Sequence, residues 1–484
     1  MARHYGEYLN KTVTIRATEK DDKIEIKRLP DIKTEVVIKR LLSDEPNKEI
    51  YRRTFDFETT EELLVYGLGD DDVFEVTGQG DNKIQLKLLG GYGDDVYSIE
   101  NKKGVKIYDW KHEKTDFPVK KPAATLTDRY KTNTYHWRYF EPNSNILAPA
   151  LGFRTDDGIF VGLKDTYTKN GLHGNPFKQR HSLSAKYLFG FKALELDYAG
   201  AFGNIFPGWN FEIGTYYTSN RYAKNFFGFG NESQNNEDAL DIDFYRARVE
   251  QFKASAGLAY HTLKARLVYE SFKVENMPDR LFNPQNLDAA LFTTQRYIGG
   301  EFSAYYHRDN AGDFPTKAIY IGVTAGYKSN IELSNNKFGY ASLKLGVDHK
   351  LIASGDLVFS TTAEYKSNIG NNQYFFYHAP SLGGDNGLRG YRDERFAGDS
   401  YFYQSTDLKL RLKRYITAVS PVTVGIYGGF DYGRVWLDDE SSDVWHTSQG
   451  GGIWISSLKA LTFKAGYFNS KENNMVQVGF GLSF

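Results

Sequence analysis

The chain has 484 residues, 40% of them hydrophobic and 15% aromatic, and its 60 basic against 61 acidic side chains leave a net charge of −1. So even a balance supplies no field to steer the chain onto a polyanion, and no nucleic-acid partner is expected. The absence of cysteine excludes disulfides and thiolate metal sites, and no apolar run reaches the roughly 18 residues that a helical membrane span needs.

A mean hydropathy of −0.53 does not exclude a membrane barrel, whose strands need only about 9–11 residues and hide their hydrophobicity in alternation. The 35 tyrosines and 34 phenylalanines against 3 methionines, with 46 glycines, favour pleated strands and tight turns.

At the N-terminus, Met1 to Tyr5 has no apolar core behind it, so it does not read as a signal peptide, and an exported protein of this sequence is expected in its mature form. Residues 1–112 carry short β-like runs, among them Val13-Thr14-Ile15-Arg16, Glu35-Val36-Val37-Ile38 and Ile84-Gln85-Leu86-Lys87-Leu88. With no 3.6-residue apolar stripe, this zone is expected to be a small all-β domain.

Within it, Gly67-Leu68-Gly69-Asp70-Asp71-Asp72-Val73-Phe74 recurs 24 residues later as Gly91-Tyr92-Gly93-Asp94-Asp95-Val96-Tyr97, with a weaker echo at Asp21-Asp22. Both resemble single turns of calcium-binding parallel β-roll repeats, in which carboxylate and carbonyl oxygens ligate the cation. Two readings follow. We favour plain Asp-Gly turns of a repeated β unit; the other is a calcium site on Asp70, Asp72, Asp94 and Asp95. No other cofactor is expected.

Residues 113–133, with Pro118, Pro122 and several lysines, read as a linker. From about residue 134 to 484 one pattern repeats: Ile319, Ile321, Val323, Ala325 and Tyr327 share one face, opposite Tyr320, Gly322, Thr324, Gly326 and Lys328. One face suits lipid and the other a polar lumen. Similar runs at 145–153, 158–168, 180–189, 194–201, 209–217, 242–260, 263–273, 296–307, 341–348, 357–366, 401–412, 422–432, 448–456, 461–468 and 475–484 predict an antiparallel transmembrane β-barrel of about sixteen strands. A soluble sandwich, propeller or solenoid fits less well, because the clusters Phe375-Phe376-Tyr377 and Tyr401-Phe402-Tyr403 suit strand ends at a membrane interface.

The last run places Val476, Val478, Phe480, Leu482 and Phe484 on one face. Such a strand resembles the C-terminal signal by which outer-membrane barrels are recognised for insertion, which would rest on Phe480, Leu482 and Phe484.

A glycine-rich loop precedes it, Ser381-Leu382-Gly383-Gly384-Asp385-Asn386-Gly387-Leu388-Arg389-Gly390-Tyr391-Arg392. It resembles the loop-six motif of the BamA/TamA superfamily of outer-membrane assembly and secretion barrels (bacterial surface antigen type), here spanning 381–399. The resemblance implies a loop folded back into the lumen, with Arg389 of the Arg389-Gly390-Tyr391 motif meeting Asp431 and Asp407 on neighbouring strands. Asp407 stands where the family usually has glutamate. Alternation independently turns both acids toward the lumen, Asp407 opposite Leu408 and Asp431 between Phe430 and Tyr432.

The helix-bearing periplasmic POTRA domains usual in that family are not legible in residues 1–112. Some relatives carry a patatin-like phospholipase or a calcineurin-like metallophosphoesterase ahead of the barrel, but this chain has neither a Gly-x-Ser-x-Gly elbow nor a Gly-Asn-His-Glu cluster, and no enzyme activity is expected of it. The resemblance implies an outer-membrane protein with its N-terminal domain in the periplasm. It would insert or export polypeptide, or anchor and export an attached domain, with membrane lipid, polypeptide clients and periplasmic or surface accessory proteins as partners. The alternatives are a passive, porin-like channel and a barrel that partners a separate hydrolase domain.

Overall fold

A computed structural model describes residues 10–41, 47–119, 122–137, 143–154, 156–172, 177–310, 314–370, 373–417, 420–457 and 461–482. Its contacts divide the chain into two units, Met1–Pro142 with Gly171–His173, and Asn143–Asn170 with Gly174–Phe484.

The first unit is built from β1 (Thr12–Arg16), β2 (Asp22–Leu29), β3 (Lys33–Arg40), β4 (Glu49–Asp56), β5 (Glu62–Gly69), β6 (Val73–Thr77), β7 (Gln85–Tyr92), β8 (Asp95–Ile99), β9 (Val105–Asp109), β10 (Thr115–Asp116) and β11 (Ala123–Leu126). Successive strands alternate between two sheets, ordered β1-β5-β7-β9-β11 and β10-β8-β6-β2-β3-β4. Neighbours from successive coils pair in parallel, so the unit is a short two-sheet solenoid from which β3 and β4 leave as an antiparallel excursion. Alternate residues of both sheets point inward, and Ile24, Ile26, Leu63, Val65, Phe74, Val76, Leu86, Leu88 and Ile107 form its core.

Residues 113–133 are not a linker. β10 pairs with β8 and β11 with β9, and a helical turn, Tyr130–Asn133, follows. Pro118 and Pro122 fall between those strands, where a missing N–H breaks no ladder, so composition concealed a continuing solenoid.

The second unit is one antiparallel sheet. Its strands are β12 (Ser144–Arg154), β13 (Gly158–Lys169), β14 (Gln179–Leu188), β15 (Ala193–Phe206), β16 (Trp209–Thr218), β17 (Ala223–Asn225), β18 (Arg246–Tyr260), β19 (Leu263–Val274), β20 (Gln295–Asp309), β21 (Lys317–Asn330), β22 (Lys337–Lys350), β23 (Leu357–Ile369), and then, beyond the two-residue strands β24 (Ser381–Leu382) and β25 (Phe396–Ala397), β26 (Ser400–Ile416), β27 (Pro421–Trp436), β28 (His446–Ser457), β29 (Leu461–Asn469) and β30 (Asn474–Leu482). Omitting the three-residue β17, which pairs along an extension of β18, sixteen strands follow one another in chain order. β12 and β30 lie side by side, but no backbone ladder joins them among the described residues, so the barrel is nearly closed with a seam.

Alternation sorts the wall as expected. Ile319, Val323, Tyr327, Leu343, Leu345 and Val347 are exposed on the outer face, where lipid rather than water is the solvent. The inner face carries ion pairs such as Lys264 with Glu212 at 2.9 Å and Lys328 with Glu270 at 2.8 Å. Short turns, such as 207–208 and 261–262, lie at one end of the barrel and long loops, 219–245, 275–294 and 370–399, at the other.

Those long loops share an apolar core of their own. Phe226, Met277, Phe282, Leu291, Tyr374 and Phe376 pack with Phe272, Tyr297 and Phe338 from the strand ends, and Tyr377 stacks on Phe272 at 4.1 Å. The cluster Phe375-Phe376-Tyr377 therefore packs into this roof rather than sitting at a membrane interface. In the second cluster Tyr401 and Tyr403 point inward to Glu364, leaving Phe402 beside Tyr432 and Trp445. Neighbouring strand residues face opposite sides, so one side of the barrel cannot take all three rings.

Candidate functional site

Residues 370–399 form the sixth loop at the long-loop end. Leu382, Leu388, Tyr391 and Phe396 pack with Tyr401, Tyr403 and Val435 of β26 and β27, and this apolar foot brings the motif against the inner wall. Ser405 donates to the Gly387 carbonyl at 2.8 Å.

Arg389 is the centre of the contact. Its backbone N–H donates to Asp431 at 3.1 Å, Nε lies 3.0–3.1 Å from both carboxylate oxygens, and Nη2 reaches Oδ1 at 2.6 Å. Nη1 pairs with Asp407 at 2.8 Å. The two acids come from β27 and β26, as alternation requires, and a fork between two carboxylates fixes the guanidinium plane as a single ion pair would not.

Three participants escape a sequence reading. Ser448 of β28 donates to Asp431 Oδ2 at 2.7 Å, the Phe468 ring of β29 lies 4.1 Å from the Arg389 guanidinium carbon, and the Gln477 side chain of β30 donates to the Arg389 carbonyl at 3.1 Å. Strand parity gives a signal for Ser448 and Gln477. Phe468 lacks one, because an aromatic in a barrel strand is ordinarily assigned to lipid.

Gly390 is required by close approach: a Cβ there would lie 2.7 Å from that of Ser448 and 2.9 Å from the Asn469 carbonyl oxygen. Tyr391 is buried, edge-on to Phe396. At the C-terminus, Phe480 and Leu482 pair with Phe463 and Leu461 through the backbone; their side chains, and Phe484 entirely, lie outside the described residues.

The aspartates of the N-terminal turns form two hydrogen-bonded ladders along a corner of the solenoid. On the inner ladder Asp22 N–H donates to Asp72 at 2.8 Å and Asp72 N–H to Asp95 at 2.9 Å. On the outer one Asp71 N–H donates to Asp21 and Asp94 N–H to Asp71. The repeated Asp-Asp pair thus supplies acceptors for backbone donors at each corner, and Gly67 and Gly90 make room for the buried member of each pair, since a Cβ there would fall 2.1 Å from Asp72 Oδ2 and 1.8 Å from Asp95 Oδ2.

Asp70 and Asp94 are exposed, whereas Asp72 and Asp95 are fully buried. Burial, with a neighbouring carboxyl adding to it, pushes Asp72 up to about 9 and Asp95 to about 8, and burial raises Asp109 to about 7. Among the described residues, no group of three or more His, Asp or Glu is arranged to hold a metal ion.

Sixteen strands, a seam and an inward sixth loop held by Arg389 make up a BamA/TamA-like barrel fold. Residues 315–455, which run from β21 into β28 and include the whole of loop six, match the family model of the haemolysin secretion/activation proteins ShlB/FhaC/HecB. The fold is similar to that of BamA from Haemophilus ducreyi lacking POTRA domains 1–3, at TM-score 0.50 and 13% identity over 71% of each chain. CdiB from Escherichia coli aligns at TM-score 0.44 and 12% identity, over 71% of this chain and 67% of that one. CdiB from Acinetobacter baumannii aligns at 0.43 and 12%, over 71% and 60%. No curated protein sequence matches the chain. The apolar outer wall is that of a membrane-spanning β-barrel.

Proposed function

We propose that this chain inserts polypeptide into the outer membrane or exports it across, or anchors and exports an attached domain, and that the docked sixth loop is its resting state. The observation that carries this reading is the convergence of the Arg389 main chain and side chain on Asp431. A pore for small solutes has no need of a loop held across its own lumen. The roof of Phe226, Phe282 and Phe376 supports the same conclusion, because it covers the mouth that a passive channel would leave open. The partners are polypeptide clients and accessory proteins of the envelope, and no catalytic step is assigned to the barrel.

The test is depletion of the protein from its host, with quantification of the outer-membrane and secreted proteins. Selective loss of one or more clients is expected, and an unchanged inventory would overturn the proposal. In planar bilayers the purified protein is expected to stay closed and an Arg389→Ala variant to open intermittently. A steady conductance of the unaltered protein would instead identify the passive channel.

A further inference from the structure

We propose that loop six clasps the barrel seam, holding the tips of the hairpins on its two sides. The inference rests on the docked loop described above and assigns it a second task.

Among the described residues the seam lacks a ladder between β12 and β30, and β12 contains Pro149, which has no N–H to give. Little in the two backbones therefore resists separation, and the restraint lies in side chains of the loop. On the first side, Asp156 sits in the turn between β12 and β13. Its Oδ1 takes Arg392 Nη1 at 2.8 Å, and its Oδ2 takes the Asp393 N–H at 2.8 Å and the Asn225 amide at 2.7 Å.

On the other side, Glu472 sits in the turn between β29 and β30. Both its oxygens are held by Arg395, through Nε at 2.7 Å and Nη2 at 2.9 Å. One strand position is held as well, since Gln477 of β30 donates to the Arg389 carbonyl. The clasp is braced from loop 219–245 by Glu237 on Arg392 and Ser233 on Arg395.

Asp156 and Arg395 are almost completely buried. Removing a partner strands a buried charge, so these contacts break as units rather than loosening gradually. Arg389, Arg392 and Arg395 occupy one short segment, so the loop-end of the seam opens only when loop six is released, while among the described residues the turn-end carries no such restraint from this loop. Docking of the loop and closure of the outer seam are then one event.

The test uses the full chain, which has no native cysteine. Spin labels go on Ile159→Cys and Tyr467→Cys, two exposed sites flanking the seam, and the distance is measured by pulsed electron resonance in nanodiscs. The unaltered clasp is expected to give one narrow distribution. Arg392→Gln with Arg395→Gln should add a population longer by at least one strand spacing, about 5 Å.

If that double variant keeps the narrow distribution while Arg389→Ala broadens it, the clasp is overturned and the docked loop stands. If neither variant changes it, the resting state proposed above is overturned too. Should the double variant not fold, Asp156→Arg is expected to broaden the distribution and Asp156→Arg with Arg392→Asp to narrow it again; failure to narrow counts against the clasp.

Discussion

The Asp431 carboxylate accepts both the backbone N–H and the guanidinium of Arg389, at 3.1 Å and 2.6 Å, so one strand acid fixes the position and the orientation of the loop. Asp407 contributes a single pairing to Nη1 and is partly exposed, whereas Asp431 is fully buried and also takes the Ser448 hydroxyl.

The two acids are therefore unequal. Asp431→Asn is expected to destabilise the barrel by up to about 3–5 kcal/mol, the cost of breaking a buried pair, and Asp407→Asn by less. The temperature at which the folded band is lost in detergent electrophoresis would report this, and equal losses would refute the ranking. Exchanging the charges, Arg389→Asp with Asp431→Arg, is expected to recover part of the assembly lost in each single variant.

Space is as tight as charge. Gly390→Ala sets a methyl against Ser448 and the Asn469 backbone, and Gly429→Ala sets one 2.5 Å from both Arg389 Nη2 and Asp407 Oδ1. Both variants are expected to free loop six for protease cleavage in a barrel that still folds, Gly390→Ala more completely because backbone yields less than a side-chain end. Unaltered protection in both would remove the steric argument.

The roof gives a prediction about conduction. Phe282 is fully buried among Phe226 and Phe376, and truncating a buried Phe to Ala costs about 3–5 kcal/mol. Phe282→Ala is expected to raise the frequency of brief openings in planar bilayers with Arg389 still docked. A closed record matching the unaltered protein would show that the roof does not limit conduction.

The buried ladder makes the N-terminal domain sensitive to alkali. Asp72, Asp95 and Asp109 ionise near 4 when unfolded but at about 9, 8 and 7 in the fold. The folded state therefore holds protons that the unfolded state has released. Their stabilising contribution is complete below about pH 4 and is lost as pH rises through 7 to 9, by up to about tenfold in the folding equilibrium per group and pH unit. Hydrogen exchange of residues 12–126 in the full chain, corrected for the intrinsic rate, is expected to show weaker protection at pH 9 than at pH 6. Asp95→Asn should flatten that profile, and an equally steep profile in the variant would exclude Asp95 as a cause.

Strand parity carried much of this structure. Because side chains alternate strictly, the sequence alone determined about sixteen strands, their lipid faces and the inward direction of Asp407 and Asp431, and the glycine-rich motif marked Arg389 as the group to meet them. Local chemistry also marked the corners at Asp72 and Asp95 as repeated turns. What it concealed was that residues 113–133 complete a solenoid, since a two-residue strand and a four-residue strand separated by two prolines have no periodicity to read.

Only the tertiary structure decided the contacts between segments distant in the chain: Phe468 beneath Arg389, Gln477 on its carbonyl, and Arg392 and Arg395 on Asp156 and Glu472. Parity fixes which way a strand residue points, but these contacts join an irregular loop to strands and turns up to 236 positions away. No local period constrains such pairs, and they are fixed only when the barrel curls and brings its first and last hairpins to the same loop.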